Sequence, residues 1–114
     1  AIDRLSQYGN PSYLAYRGIA LGYRDLGQMS DAMDAVDQAL ETAPENPELF
    51  YLKAQLHRRQ SQTDDSIVMF DKALGYAAQL PSSLTRKIYK EKCRTLGGSR
   101  DTCGKEATDF VEDL

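Results

Sequence analysis

The order of apolar and polar residues along this 114-residue chain repeats with a period of 34. One unit spans 13–46 and the next spans 47–80, and the aligned units share eight identical residues. Unrelated segments of ordinary composition would share roughly two. The identical pairs are Ala20/Ala54, Arg24/Arg58, Gln28/Gln62, Asp31/Asp65, Asp37/Asp71, Ala39/Ala73, Leu40/Leu74 and Ala43/Ala77. A fixed period of this length predicts stacked helix–turn–helix units.

Each unit is predicted to contain two amphipathic helices. In the first unit, one apolar stripe has the i, i+3, i+4, i+7 spacing of a single helix face. This stripe is formed by Tyr16, Ile19, Ala20 and Tyr23, and the stripe on the following helix by Ala32, Val36, Ala39 and Leu40. We expect the first stripe to face the second helix, with the small Ala20 and Ala32 allowing the two helices to cross closely.

Residues that end or begin helices stand between the stripes. Gly27 can adopt the left-handed conformation that ends a helix, and Ser30 is predicted to cap the next one. Pro44 is expected to stop the second helix of the unit. Asn46 and Pro47 then predict a helix start, because Asn caps well and proline is preset for the first helical position.

The first unit resembles the tetratricopeptide repeat (TPR) family, whose pattern is an aromatic, a Leu, a small residue, Tyr, Ala, Phe or Tyr, and Pro. The matching residues are Tyr16, Ile19, Ala20, Tyr23, Ala32, Val36 and Pro44. The second unit departs from the pattern at Lys53, His57, Ser66 and Ala78. The resemblance is clear over about 1–80. It implies an all-α fold of antiparallel helix–turn–helix repeats stacked as a right-handed α-solenoid.

We interpret 1–114 as a single TPR-like domain and as a fragment of a longer protein. Residues 1–12 resemble the second helix of a preceding repeat, and 13–46 and 47–80 are the two clear repeats. The pattern decays over 81–114, which we interpret as a degenerate repeat with capping helices, as the open end of a solenoid requires. Gly97 and Gly98 are expected to end the first of these helices, and Asp101 or Thr102 to cap the second.

Composition narrows the class of function. The chain has 14 basic and 17 acidic residues, a formal charge of −3, which argues against nucleic acid as a partner. No apolar run approaches the roughly 20 residues of a membrane span, so we expect no membrane insertion. His57 is the only histidine and occupies a packed position of the repeat, and no catalytic set, metal site or cofactor motif accompanies it. We therefore predict a protein that is not an enzyme and binds no cofactor.

The resemblance implies a protein–protein interaction scaffold whose first helices line a concave groove. The predicted groove residues are Arg17, Leu21, Arg24, Tyr51, Gln55, Arg58 and Arg59. Arg24 and Arg58 are one repeat apart, and arginine forks suit carboxylates, so the expected ligand is an acidic or C-terminal protein segment. One alternative is that these arginines only keep the surface soluble. Another is a structural self-assembly module, in which acidic side chains on one copy meet the basic run over 84–105 of the next and form a homo-oligomer.

The two cysteines bear on the compartment. Cys93 and Cys103 lie in consecutive predicted helices, where a hairpin could join them in a disulfide. A loop this short would stabilise the fold by roughly 2–3 kcal/mol. A bonded pair indicates a periplasmic or other oxidising compartment. Two free thiols would instead suit a cytoplasmic protein.

Overall fold

The computed structural model describes residues 12–114. Over this range the chain forms six α-helices and no strand, in agreement with the predicted all-α fold. The helices are α1 (Ser12–Asp25), α2 (Met29–Thr42), α3 (Pro47–Arg59), α4 (Thr63–Leu74), α5 (Ser82–Thr95) and α6 (Arg100–Glu112), with a 3₁₀ turn at Ala77–Gln79. The predicted tail of a preceding repeat lies, apart from Ser12, outside the described residues. None of the helices within the described range is long and apolar enough to cross a membrane.

The helix ends follow the sequence signals in part. Gly27 and Gly97 both have a positive φ, as expected of glycines that end helices. Asn46 caps α3, and its side chain accepts a hydrogen bond of 3.0 Å from the Glu48 backbone N–H. The two other predicted caps are wrong. Helix α2 begins one residue before Ser30, after Gln28, and Ser99 caps α6 by accepting from the Thr102 backbone N–H.

Adjacent helices pack in antiparallel pairs, α1 with α2, α3 with α4, and α5 with α6. Ala20 and Ala32 are fully buried, which confirms the predicted close approach of α1 to α2. Leu52 and Leu56 of α3 complete this first core, while Tyr51 and Ala54 of α3 belong to a second core with Phe70 and Ile88. Because α3 contributes to both cores, each pair relies on its neighbour to cover its apolar surface.

Two departures from the repeat pattern have local compensation. Ser66 is fully buried where the pattern has Ala, and its hydroxyl donates to the Thr63 carbonyl at 2.8 Å. The buried polar group is therefore satisfied within its own helix. Lys53 stands where the pattern has Leu, and its Nζ lies 2.8 Å from Asp37 Oδ1 of α2. The position thus accepts a charge because it has a partner of opposite sign.

The expected orientation of Ile19 is wrong. Ile19 was predicted to face α2, but 49% of its surface is exposed, whereas Leu21, assigned to the groove, packs on the first core. The corresponding position of the next repeat gives the reason. There Lys53 contacts α2, the helix before its own, rather than α4, the helix after it. The second residue of the pattern, the Leu position, therefore faces the preceding unit.

The last helix pair is held together by a covalent bond and by an aromatic contact. The sulfurs of Cys93 and Cys103 lie at bonding distance, with Cα atoms 5.6 Å apart, as predicted. Tyr89 and Phe110 stack with ring centroids 4.9 Å apart. Gly98 lies against the bridge so closely that a Cβ there would come within 2.6 Å of both sulfurs. The turn between α5 and α6 therefore requires a residue without a side chain.

We expect added bulk at the helix crossings to destabilise the fold. Ala20→Leu and Ala54→Leu each place a larger side chain at a fully buried position and should cost about 1–3 kcal/mol of unfolding free energy. Ala15→Leu, at an exposed position of the same helix as Ala20, is the matched control and should change stability by less than about 0.5 kcal/mol. Urea denaturation measures all three. Equal stability of the buried and exposed variants would contradict this packing.

A second prediction concerns Gly98. Gly98→Ala should destabilise the oxidised protein by about 1–3 kcal/mol, because the new methyl group cannot fit beside the bridge without backbone movement. The cost should fall in a Cys93→Ser, Cys103→Ser background, where the two side chains are free to separate. Gly104→Ala, whose Cβ would meet nothing closer than 3.9 Å, is the control and should not destabilise. An equal cost of Gly98→Ala in both backgrounds would show that the bridge is not its cause.

Candidate functional site

A pocket of about 360 Å³ lies where α1, α3 and α5 approach one another. Arg24 comes from the last turn of α1, Arg58 and Arg59 from the last turn of α3, and Glu91 from α5. Gln55 completes the lining. We call it the arginine pocket. Arg24 and Arg58 meet there because the 34-residue period places them at the same point of successive first helices, and Arg59 follows Arg58 directly in the chain.

Hydrogen bonds connect three helices across the arginine pocket. Arg24 donates to Gln55 Oε1 at 3.1 Å, and Gln55 Nε2 donates to Glu91 Oε1 at 3.3 Å. The Tyr51 hydroxyl donates to the other oxygen of Glu91. Arg59 reaches back to the Arg24 backbone carbonyl at 3.4 Å. Arg24 and Arg59 are therefore positioned by contacts between helices, and Arg24 also pairs with Asp25 of its own helix, with 3.4 Å between Nη2 and Oδ1.

Glu91 is a half-buried acid in otherwise basic surroundings. Burial raises the pKa of Glu91 from 4.5 to about 7, while the positive charge of Arg24 opposes this shift. Near neutral pH the carboxyl group is thus partly protonated, and the pocket carries an excess of positive charge from its three arginines. Such an arrangement attracts anions, and the guanidinium groups can form paired hydrogen bonds with a carboxylate.

The other predicted groove residues, Arg17, Leu21 and Tyr51, are not part of the lining of the arginine pocket. Arg17 is paired with Glu48, with 3.9 Å between Nε and Oε2. Leu21 packs on the first core. Tyr51 is buried, and its ring packs against Phe70. The ring therefore belongs to the second core, and the hydroxyl donates to Glu91.

Sequence reasoning missed Glu91 as a member of the site. A signal was present, since adding 34 to Tyr23 gives His57 and adding 34 again gives Glu91. The period therefore assigns Glu91 to a position that holds a partly buried Tyr in the first repeat and a partly buried His in the second. An acid at such a position is unusual, because burial of a charge is costly without a partner. The decay of the apolar pattern after Leu80 concealed this equivalence.

The comparisons with known proteins find a similarity over part of the chain. A family model described as the tetratricopeptide repeat matches residues 14–56. This segment is similar to the tetratricopeptide repeat family. The predicted resemblance is thereby confirmed for α1, α2 and most of α3, which include Arg24 and Gln55 of the arginine pocket. No match was found among the curated proteins.

The repeat gives a coarse functional conclusion. TPR units are protein–protein interaction modules, and the family is typically non-catalytic. Arg58, Arg59 and Glu91 lie beyond the matched segment, so the arginine pocket joins the matched repeat to the rest of the chain.

The raised pKa of Glu91 predicts how stability depends on pH. As pH rises from 4.5 towards about 7, the unfolded chain loses its proton before the folded protein does, so the folded state loses stability over this window. Glu91→Gln cannot ionise and should remove this part of the loss. The melting temperature should therefore fall less between about pH 5 and about pH 8 in Glu91→Gln than in the wild type.

The matched control is the exposed Glu45, for which Glu45→Gln should leave the pH dependence of the wild type unchanged. If Glu91→Gln and the wild type lose equal stability between the two pH values, Glu91 is not the group responsible. Tyr51→Phe adds a further comparison, since it removes the hydroxyl that donates to Glu91 without removing the buried ring.

Proposed function

We propose that this protein is a non-enzymatic scaffold that binds an acidic segment of a partner protein at the arginine pocket. The observation that supports the proposal is the convergence of Arg24, Arg58 and Arg59 on one pocket of a chain that is acidic overall. Because the formal charge of the chain is −3, general attraction of anions to the whole surface is not expected. The attraction is local to the pocket.

Side-chain chemistry favours carboxylate as the group that is bound. Arg58 and Arg59 are exposed, so they can approach a ligand without breaking packing. Arg24 already donates to Gln55, which holds one edge of its guanidinium group in place. A planar group with several N–H donors in a fixed position suits two oxygens of one carboxylate. Both an internal acidic side chain and a C-terminal carboxylate have this chemistry.

A second candidate function is self-assembly, and the distribution of acidic residues favours it. Four acidic side chains are exposed on α2, namely Asp31, Asp34, Asp37 and Glu41. A surface of this charge on one copy is complementary to the basic last helix pair of another. Asp37 already pairs with Lys53 within the chain, so three of the four acidic groups would have to carry such a contact.

The bridge between Cys93 and Cys103 supports an oxidising compartment as the place where the protein acts, because structural disulfides persist there. Under this proposal the partner segment is encountered in a periplasm or a secretory lumen.

The experiment is a binding titration with a fluorescein-labelled oligoglutamate peptide. The double variant Arg24→Glu, Arg58→Glu should weaken binding at least tenfold, because reversal of both charges replaces attraction with repulsion. The effect should be larger at low salt, since exposed charges are screened beyond about 10 Å at 0.1 M ionic strength. The peptide with a free and with an amidated C-terminus separates terminal from internal recognition.

Two further variants make the result specific. Arg58→Glu alone changes an exposed side chain, so it tests the pocket even if loss of the Arg24 contacts affects folding. Asp34→Lys with Glu41→Lys on α2 is the control and should not weaken binding. A larger loss of binding from the α2 pair, or concentration-dependent self-association that this pair abolishes, would favour self-assembly instead.

A further inference from the structure

A second pocket, of about 460 Å³, lies on the last helix pair. We call it the hairpin pocket. Five of its lining residues are basic, namely Lys87, Lys90, Arg94, Arg100 and Lys105. Its two acidic lining residues are Glu91 and Asp101. The excess of positive charge is greater than in the arginine pocket, although the chain as a whole is acidic.

The basic residues of the hairpin pocket are brought together by helix geometry and by the bridge. Lys87, Lys90 and Arg94 stand at i, i+3 and i+7, so they share one face of α5. Arg100 and Lys105 come from α6 on the opposite side. Cys103 is both part of the lining and half of the disulfide, so the two basic walls are covalently tied to each other.

The hairpin pocket adjoins the arginine pocket. Glu91 lines both, so the two pockets meet at this side chain. Glu91 shares the arginine pocket with three arginines and the hairpin pocket with five basic residues. One positively charged surface therefore extends from the last turn of α1 to α6, with the half-buried Glu91 between its two parts.

We propose that the hairpin pocket is a second subsite for the same acidic polypeptide segment, which spans both pockets with an acidic cluster on each side of Glu91. This inference rests on the proposed function, because it assigns one ligand to the two pockets. The face of α5 from Lys87 to Arg94 is about 10 Å long at 1.5 Å per residue. An extended peptide covers this length with about three residues. A short acidic cluster therefore fits the second subsite.

A polypeptide fits the two pockets better than a phosphate or a nucleic acid. A free anion would occupy one pocket and gain nothing from the other. Nucleic acid carries its negative charges without interruption, so some of them would lie against Glu91 and the acidic remainder of the surface. A polypeptide can interrupt its acidic residues with neutral ones where it passes Glu91, and its two clusters then bind as linked groups.

The test uses fluorescein-labelled peptides with two acidic clusters joined by Ser-Gly spacers of increasing length, compared with a peptide that carries one cluster. Affinity for the wild type should pass through a maximum at an intermediate spacer length, where both subsites are reached without excess chain. At that length the two-cluster peptide should bind at least tenfold more tightly than the single-cluster peptide.

The deciding variant is Lys90→Glu with Arg94→Glu. It should remove most of the advantage of the two-cluster peptide, and it should leave the single-cluster peptide bound at the arginine pocket. The single variant Lys90→Glu is also measured, and Lys72→Glu is its matched control. Lys72 is an exposed lysine of α4 that lies outside both pockets, so this control makes the same charge change elsewhere on the surface. The control should not change the spacer dependence, and circular dichroism should show equal helicity in all variants.

The outcomes separate the inference from the proposed function. If Lys90→Glu with Arg94→Glu has no effect on the two-cluster peptide while Arg24→Glu with Arg58→Glu weakens it, the second subsite is wrong and the proposed function stands. If the arginine variant has no effect, the proposed function fails and so does the spanning ligand. Self-association in sedimentation experiments that Lys90→Glu abolishes would identify a second copy as the occupant and overturn the inference. Equal affinity at every spacer length would overturn it as well.

Discussion

The close approach of neighbouring helices at small buried residues is the constraint on which the structure depends. Ala20 and Ala54 have no exposed surface and stand one period apart, in the middle of α1 and α3. Larger residues there would separate the helix pairs, because protein interiors are packed without space for extra methyl groups. Each helix also needs a neighbour on either side, since α3 contributes Leu52 and Leu56 to one core and Tyr51 to the next.

This packing brings residues that are one period apart in sequence close together on the surface of the protein. Residues that are 34 apart occupy equivalent points on successive first helices, so Arg24 and Arg58 reach the same pocket although they are far apart in sequence. The packing also tolerates exceptions where a partner is at hand. Ser66 donates to a carbonyl of its own helix, and Lys53 pairs with an aspartate of the preceding helix. Neither exception disturbs the stacking of the helices.

The last helix pair is built under a different constraint. Its apolar pattern is thin, and a disulfide and a stacked aromatic pair hold α5 to α6. The covalent tie leaves the outer faces of these helices free to carry charge, and five basic residues gather there around one pocket. Gly98 shows how closely the tie is packed, since even one methyl group at this turn would collide with both sulfurs.

The sequence by itself determined the all-α fold, the repeat over the first two units, the close contact at Ala20 and a spacing at which the two cysteines can pair. These features follow from period, residue size and local spacing, which are properties of the chain read in order. Three features were decided only by tertiary structure. Ile19 is exposed and Leu21 packs on the first core. The apolar spacing of α1 shows that the helix has a buried face, but only the packing of the neighbouring helices decides which residues that face includes. The ring of Tyr51 is likewise part of the second core, which depends on how α3 packs against its neighbours. Glu91 lines the arginine pocket although it lies 33 residues after Arg58 in the chain. Its pKa is raised by burial, which cannot be read from the local sequence.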